Sequence, residues 1–171
     1  LEKMISRTMD SKEFIITRLI NATKERVFKI WTDPEQIKNW WGPIGFTAPV
    51  ARVDLRPGGK YFYAMEDLAG KLYWSGGEFK EVEAPNRLVV DDHFMDEKGN
   101  VMEPADYGLD KNFPKHQTIT VTFDNDNGKT RLSIIYQMPE ALAAKEAMVK
   151  SGMAEGWHTS LDKLQALAEN Y

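Results

Sequence analysis

The chain contains three histidines, His93, His116 and His158, and no cysteine. The missing thiol excludes disulfides, thiolate catalysis, iron–sulfur clusters and thiolate zinc sites. His158 stands four residues before Asp162. On a helix that spacing lets an imidazole meet a carboxylate, either as a general base or as an ordinary surface pair. Glu78 follows the Gly76-Gly77 break, and His93 follows Asp91-Asp92 in a strand-like run. Inside a gap, desolvation would raise the pKa of such a carboxyl, whereas an exposed strand carboxylate would keep its ordinary value. His158, Glu78 and His93 are therefore the acid–base candidates. No two histidines stand at the i,i+4 or i,i+2 spacing of a metal-ligand pair, so neither metal nor cofactor is expected. There is no Gly-x-Ser-x-Gly elbow and no Rossmann fingerprint, and Gly58-Gly59-Lys60 lacks the rest of a phosphate loop.

The second chemical resource is aromatic. Five Trp, six Tyr, eight Phe and eight Met among 171 residues can fill a core or line a cavity for an apolar ligand. The candidate lining residues are Trp41, Tyr63, Met65, Trp74, Phe94, Tyr136, Met153 and Trp157. Trp40 fits the core better than the pocket wall.

The elements that must position these residues follow from periodicity and punctuation. Residues 1–12 are polar and aperiodic and are expected to form a loose N-terminal arm, leaving 13–171 as a single domain. Glu13–Ile20 predicts a first strand. Thr23 and Asp33-Pro34 are start signals for two short helices, the second ending at Gly42-Pro43. Strands are expected over 46–55, Lys60–Glu66, 71–75 continuing through 78–83, and 87–94. The segment 96–115 is long enough to be a functional or mobile loop. Ile119, Val121 and Phe123, then Leu132, Ile134, Tyr136 and Met138, alternate with polar residues as half-buried antiparallel strands do. A last helix is expected over 139–169. Val149, Met153, Trp157, Leu161, Leu164 and Ala168 form its apolar stripe, and Gly152 and Gly156 suggest a kink or a close approach. This is an α+β chain: a curved sheet with one apolar face, covered by a long C-terminal helix with a tapering gap between them. Arg18 alternates with the apolar residues of the first strand and is expected near the rim, or inward with a carboxylate partner.

The sequence is 42% hydrophobic and 28% charged, with a formal net charge of -4. That composition suits an ordinary globule and argues against nucleic-acid binding. No apolar run is long enough to cross a membrane as a helix, and no signal peptide is visible, so the expected location is cytoplasmic. A monomer or weak homodimer is expected on base rates.

Several motifs in order carry a resemblance. They are Ile16-Thr17-Arg18, Thr32-Asp33-Pro34-Glu35, Trp40-Trp41-Gly42-Pro43, and Asp54-Leu55-Arg56-Pro57-Gly58-Gly59. Gly77 through Leu88 follows, and Gly156-Trp157 leads into Leu161-Asp162-Lys163-Leu164. Over 13–169 the chain resembles the SRPBCC group with the START-like, Bet v 1-type helix-grip fold. More narrowly, it resembles the Hsp-90 ATPase activator homologue family. The resemblance implies about seven antiparallel strands wrapped around the last helix, with two short helices after the first strand. It does not imply one function. Related domains bind hydrophobic ligands, act as cyclase modules or stimulate a chaperone ATPase. The leading expectation is a cavity for a small hydrophobic molecule. The alternatives are a chaperone-binding module linked to stress response and a cyclase- or hydrolase-type enzyme using a cavity His or carboxylate.

Overall fold

The computed structural model describes residues 11–170. The N-terminal arm expected over residues 1–12 therefore lies almost wholly outside the described residues. Strand β1 (Glu13–Ile20) leads into helix α1 (Lys24–Thr32) and the single turn α2 (Pro34–Ile37). Thr23 starts α1 by accepting from the Arg26 amide at 3.3 Å. Asp33 starts α2 by accepting from the Glu35 amide at 3.0 Å, with Pro34 in the first helical position. Strands β2 (Thr47–Val53), β3 (Lys60–Glu66), β4 (Leu72–Glu83) and β5 (Arg87–Met95) follow. After a 3-10 turn at Pro104–Tyr107 come β6 (Gln117–Asp126), β7 (Lys129–Gln137), α3 (Leu142–Lys150) and α4 (Met153–Glu169).

The seven strands form one antiparallel sheet in the order β1-β7-β6-β5-β4-β3-β2. The first two strands thus sit at opposite edges, and α1 and α2 make the crossing between them. Pro49 falls within edge strand β2, where the register shifts between Thr47 and Val50, so its missing N–H costs no ladder bond. The period of two sends Ile16, Ile20, Leu88, Val121, Phe123, Leu132 and Ile134 to one face, where all are buried. Leu161, Leu164 and Ala168 of α4 join the same core. Each fully buried leucine stabilises the packing by about 1.5–3 kcal/mol.

One expected element is divided. The helix anticipated over 139–169 is two helices, because Ser151 and Gly152 break it. Gly152 has φ +80°, the left-handed conformation that ends helices. Ser151 Oγ donates to the Met148 carbonyl at 2.6 Å and accepts from the Met153 amide at 3.2 Å, so one side chain closes α3 and opens α4. The apolar stripe continues across the break, which is why periodicity alone reads as one helix. Val149 and Met153 both pack on the core from their separate pieces.

Candidate functional site

The gap between sheet and α4 is filled at one end and hollow at the other. Trp40 plugs the filled end. It is fully buried, and its indole N–H donates to the Ile30 carbonyl at 3.0 Å. Ser160 Oγ donates to the Trp40 carbonyl at 3.1 Å, tying α4 to the same residue. Trp31 packs against Trp40 at 4.9 Å between ring centroids and stacks on Trp157 at 5.8 Å.

Beyond Trp157 the gap opens into a cavity of about 400 Å³. Met153, Gly156 and Trp157 of α4 form its roof, and Trp41 and Phe46 close one side. Tyr73 and Phe94 belong to the sheet floor. Gly42, directly after Trp41, has φ +98°, and a Cβ there would stand 3.2 Å from Phe46 Cβ and 3.3 Å from Met65 Sδ. Glycine therefore lets this loop turn tightly against β3. The long loop supplies the remaining wall through Tyr107, Leu109 and Phe113. It is anchored by Tyr107, whose hydroxyl donates to the Met95 carbonyl at 2.5 Å and accepts from the Trp74 amide at 3.2 Å.

A cross-strand row in the sheet brings Asp92 and Gln117 to the cavity floor. Tyr61 of β3 lies opposite Gly77 of β4, Gly77 opposite Asp92 of β5, and Asp92 opposite Gln117 of β6. Because Gly77 has no side chain, Tyr61 reaches past β4 and donates to Asp92 Oδ2 at 2.5 Å. A Cβ on Gly77 would stand 1.8 Å from the Asp91 carbonyl oxygen and 3.0 Å from Tyr61 Oη. Burial pushes the Asp92 carboxyl up to about 7; the Tyr61 hydrogen bond opposes this and the neighbouring Asp91 charge adds to it. Burial also raises Tyr61, Tyr63 and Tyr136, with the Asp92 charge adding to each, so all three phenols are neutral near pH 7. Tyr136 Oη accepts from Trp157 Nε1 at 2.7 Å. Gln117 is only 9% exposed, and its Nε2 has no hydrogen-bond partner; the same holds for the buried Trp41 Nε1. The arrangement is an apolar chamber with one carboxyl that can exchange a proton near neutrality and two buried donors without acceptors.

The fold brings six of the eight candidate lining residues to this chamber: Trp41, Met65, Phe94, Tyr136, Met153 and Trp157. Tyr63 is instead a core residue packed on Trp41, their rings 4.7 Å apart. Trp74 belongs to the opposite face of the sheet, stacked on Phe62 at 5.1 Å. In β4 the inward set is Tyr73, Ser75 and Gly77, and a single step along a strand reverses the face.

The acid–base candidates do not reach the cavity. His158 is exposed on α4, and its expected partner Asp162 pairs with Arg18 at 2.8 Å. Arg18 also donates to Gln165 Oε1 and to the His158 carbonyl, so it bridges β1 to α4 at the rim. Glu78 pairs with Lys80 at 3.2 Å. His93 alternates with the cavity residues Asp92 and Phe94, and its ring lies 5.4 Å from that of His116. Burial, and secondarily His116, lowers the His93 pKa. Among the described residues no three His, Cys, Asp or Glu gather as a metal site. The residue that does reach the cavity, Asp92, was missed as a candidate, although the sequence holds a signal for it. Leu88, Val90, Asp92 and Phe94 alternate along one strand, placing a carboxyl on an apolar face.

Comparison with known proteins agrees with this architecture. No curated protein matches the sequence. Ms6760 from Mycobacterium smegmatis is 28% identical with a TM-score of 0.78, the alignment covering 95% of this chain and 94% of that one. A protein from Arthrobacter aurescens is 29% identical, also at 0.78, over 95% and 89% of the two chains. An AHSA1-like protein from Aeromonas hydrophila shares the fold at 22% identity and a TM-score of 0.61, over 93% and 96%. The family model described as "Activator of Hsp90 ATPase homolog 1-like protein" matches residues 21–169. With nearly the whole helix-grip unit matched, the chain belongs to the AHSA1-like family of the SRPBCC superfamily.

Proposed function

We propose that the protein binds a small apolar molecule in the chamber between the sheet and α4. The observation that carries this reading is the asymmetry of the gap. One end is packed solid around Trp40, while the other holds about 400 Å³ faced by aromatic and methionine side chains. Chambers of roughly 300–1,000 Å³ with a few convergent polar groups suit small ligands. Membership of a superfamily whose fold often binds hydrophobic ligands supports the same reading.

The test is titration with a neutral environment-sensitive fluorophore, N-phenyl-1-naphthylamine, alongside native mass spectrometry of gently purified protein. One-to-one probe binding is expected. Gly156 offers a way to block the chamber, because a Cβ there meets nothing nearer than Pro43 Cβ at 3.9 Å. Gly156→Leu should therefore keep the fold, by circular dichroism, and lose the probe. Equal binding by the blocked variant would place the probe elsewhere, and no binding to either protein would remove the proposal.

A further inference from the structure

Resting on that reading, we infer that Asp92 and Gln117 hold the ligand's polar end, and that this end is an uncharged hydroxyl, as in a phenol or an apolar alcohol.

The charge pattern narrows the chemistry first. Among the described residues that line the chamber there is no Lys, Arg or His, and Asp92 is the only acid. A ligand carboxylate, sulfonate or phosphate would be desolvated beside Asp92 with no cation to balance it.

The open hydrogen bonds narrow it further. Gln117 presents a buried N–H group without an acceptor. Asp92 receives the Tyr61 hydroxyl on Oδ2, and among the described residues no hydrogen bond reaches its Oδ1. The two residues are directly opposite on adjacent strands, which brings their Cβ atoms to about 4.5–5.5 Å. A single ligand oxygen between them can meet both needs, accepting from Gln117 Nε2 and donating to Asp92 Oδ1.

Among ligand oxygens, a hydroxyl is the uncharged group that does both jobs with one atom. An ammonium has donors alone and leaves the Gln117 N–H unpaired. A carboxylate has acceptors alone and faces Asp92. A ketone accepts from Gln117 but has no proton to give Asp92 once that carboxyl ionises, above about pH 7, whereas a hydroxyl can serve it in either state. The Tyr61 bond holds Asp92 in place, so the site is preorganised rather than built around the ligand.

The experiment displaces bound N-phenyl-1-naphthylamine from the full chain with four matched competitors: 2-naphthol, 2-methylnaphthalene, 2-naphthoate and 2-naphthylmethylammonium. The naphthol should compete about tenfold or more better than each of the others, the size of one or two satisfied hydrogen bonds. In Gln117→Leu the naphthol should lose a large part of its advantage over 2-methylnaphthalene while the fluorophore still binds. The competitor series on the unaltered chain decides the matter even where that variant fails to fold. Equal competition by 2-naphthol and 2-methylnaphthalene, or a best competitor that is the anion or the cation, overturns the headgroup assignment and leaves the chamber as a binding site. Absence of fluorophore binding to the unaltered chain overturns both.

Discussion

Asp92 concentrates the electrostatics of the protein in one side chain. Its carboxyl holds its proton to about 7 in the fold, against 3.8 for an ordinary aspartate. Between those values the native chain keeps a proton that the unfolded chain has released. The stability this group contributes is therefore complete below about pH 4, is lost as pH rises through 7, and is absent above it. The groups facing Asp92 do not reverse this sign. Tyr61, Tyr63 and Tyr136 are all raised and remain neutral, and the Asp91 charge acts in the same direction as burial. From this group the unfolding free energy should be higher at pH 5 than at pH 8 by on the order of 3 kcal/mol, while the lowered pKa of His93 acts in the opposite direction and subtracts from that difference. Asp92→Asn should flatten that slope and be the more stable protein at pH 8; a slope unchanged by the substitution would show that another group sets it. At this scale much of the site was legible. The alternation of Val90, Asp92 and Phe94, and of Gln117, Ile119 and Val121, assigns an acid and an amide to apolar faces. His93, more eye-catching by type, lies outside the cavity because the same alternation sends it to the other face, and His158 lies on the exposed side of α4.

Among the elements, β4 is the one whose sequence is set by its neighbours. Gly76 and Gly77 interrupt an otherwise strand-like run, at a cost in strand stability. A Cβ at Gly76 would stand 2.4 Å from the Tyr61 carbonyl oxygen, and one at Gly77 would strike the Asp91 carbonyl. Both glycines thus allow β3 and β5 to close on β4, and Gly77 also opens the path by which Tyr61 reaches Asp92. Gly77→Ala should be destabilising by about 1–3 kcal/mol, as overpacking of a closed site is. It should also weaken binding of the fluorophore in whatever fraction remains folded. Thermal unfolding of the variant checks the first effect, and titration below its transition checks the second. The break between α3 and α4 belongs to the same scale. The stripe from Val149 to Ala168 is legible as a period, but the left-handed turn at Gly152 changes the direction of the chain without changing the pattern.

For the molecule as a whole, the hollow half of the gap is a packing deficit that a ligand can make good. Its apolar lining stays in contact with water, and a bound apolar molecule removes that surface from water. A ligand that binds only the native state raises its stability by RT ln(1 + [L]/Kd), about 2.7 kcal/mol at a hundredfold excess over Kd. The melting temperature should accordingly climb with N-phenyl-1-naphthylamine concentration in the unaltered chain and stay constant in Gly156→Leu. A rise of equal size in both proteins would mean that the stabilising site is not this chamber.

The sequence by itself determined the order of elements, the α+β class, the helix-grip family and the apolar face of β6 and β7. These follow from short-range rules: a period of two or three and a half, a cap, a turn residue. Of the eight residues it offered as cavity lining, six stand at the chamber and Tyr63 and Trp74 do not. It left undecided whether the aromatic surplus was a core or a chamber, since filling and lining draw on the same side chains at the same spacing. Only the tertiary structure showed that the gap is packed around Trp40 yet hollow beyond Trp157. Only cross-strand register aligned Tyr61, Gly77, Asp92 and Gln117 from four different strands into one row. The physical reason is the same in both cases. A void and a row are relations between segments distant in sequence, fixed by how sheet, helix and loop pack together rather than by any local preference.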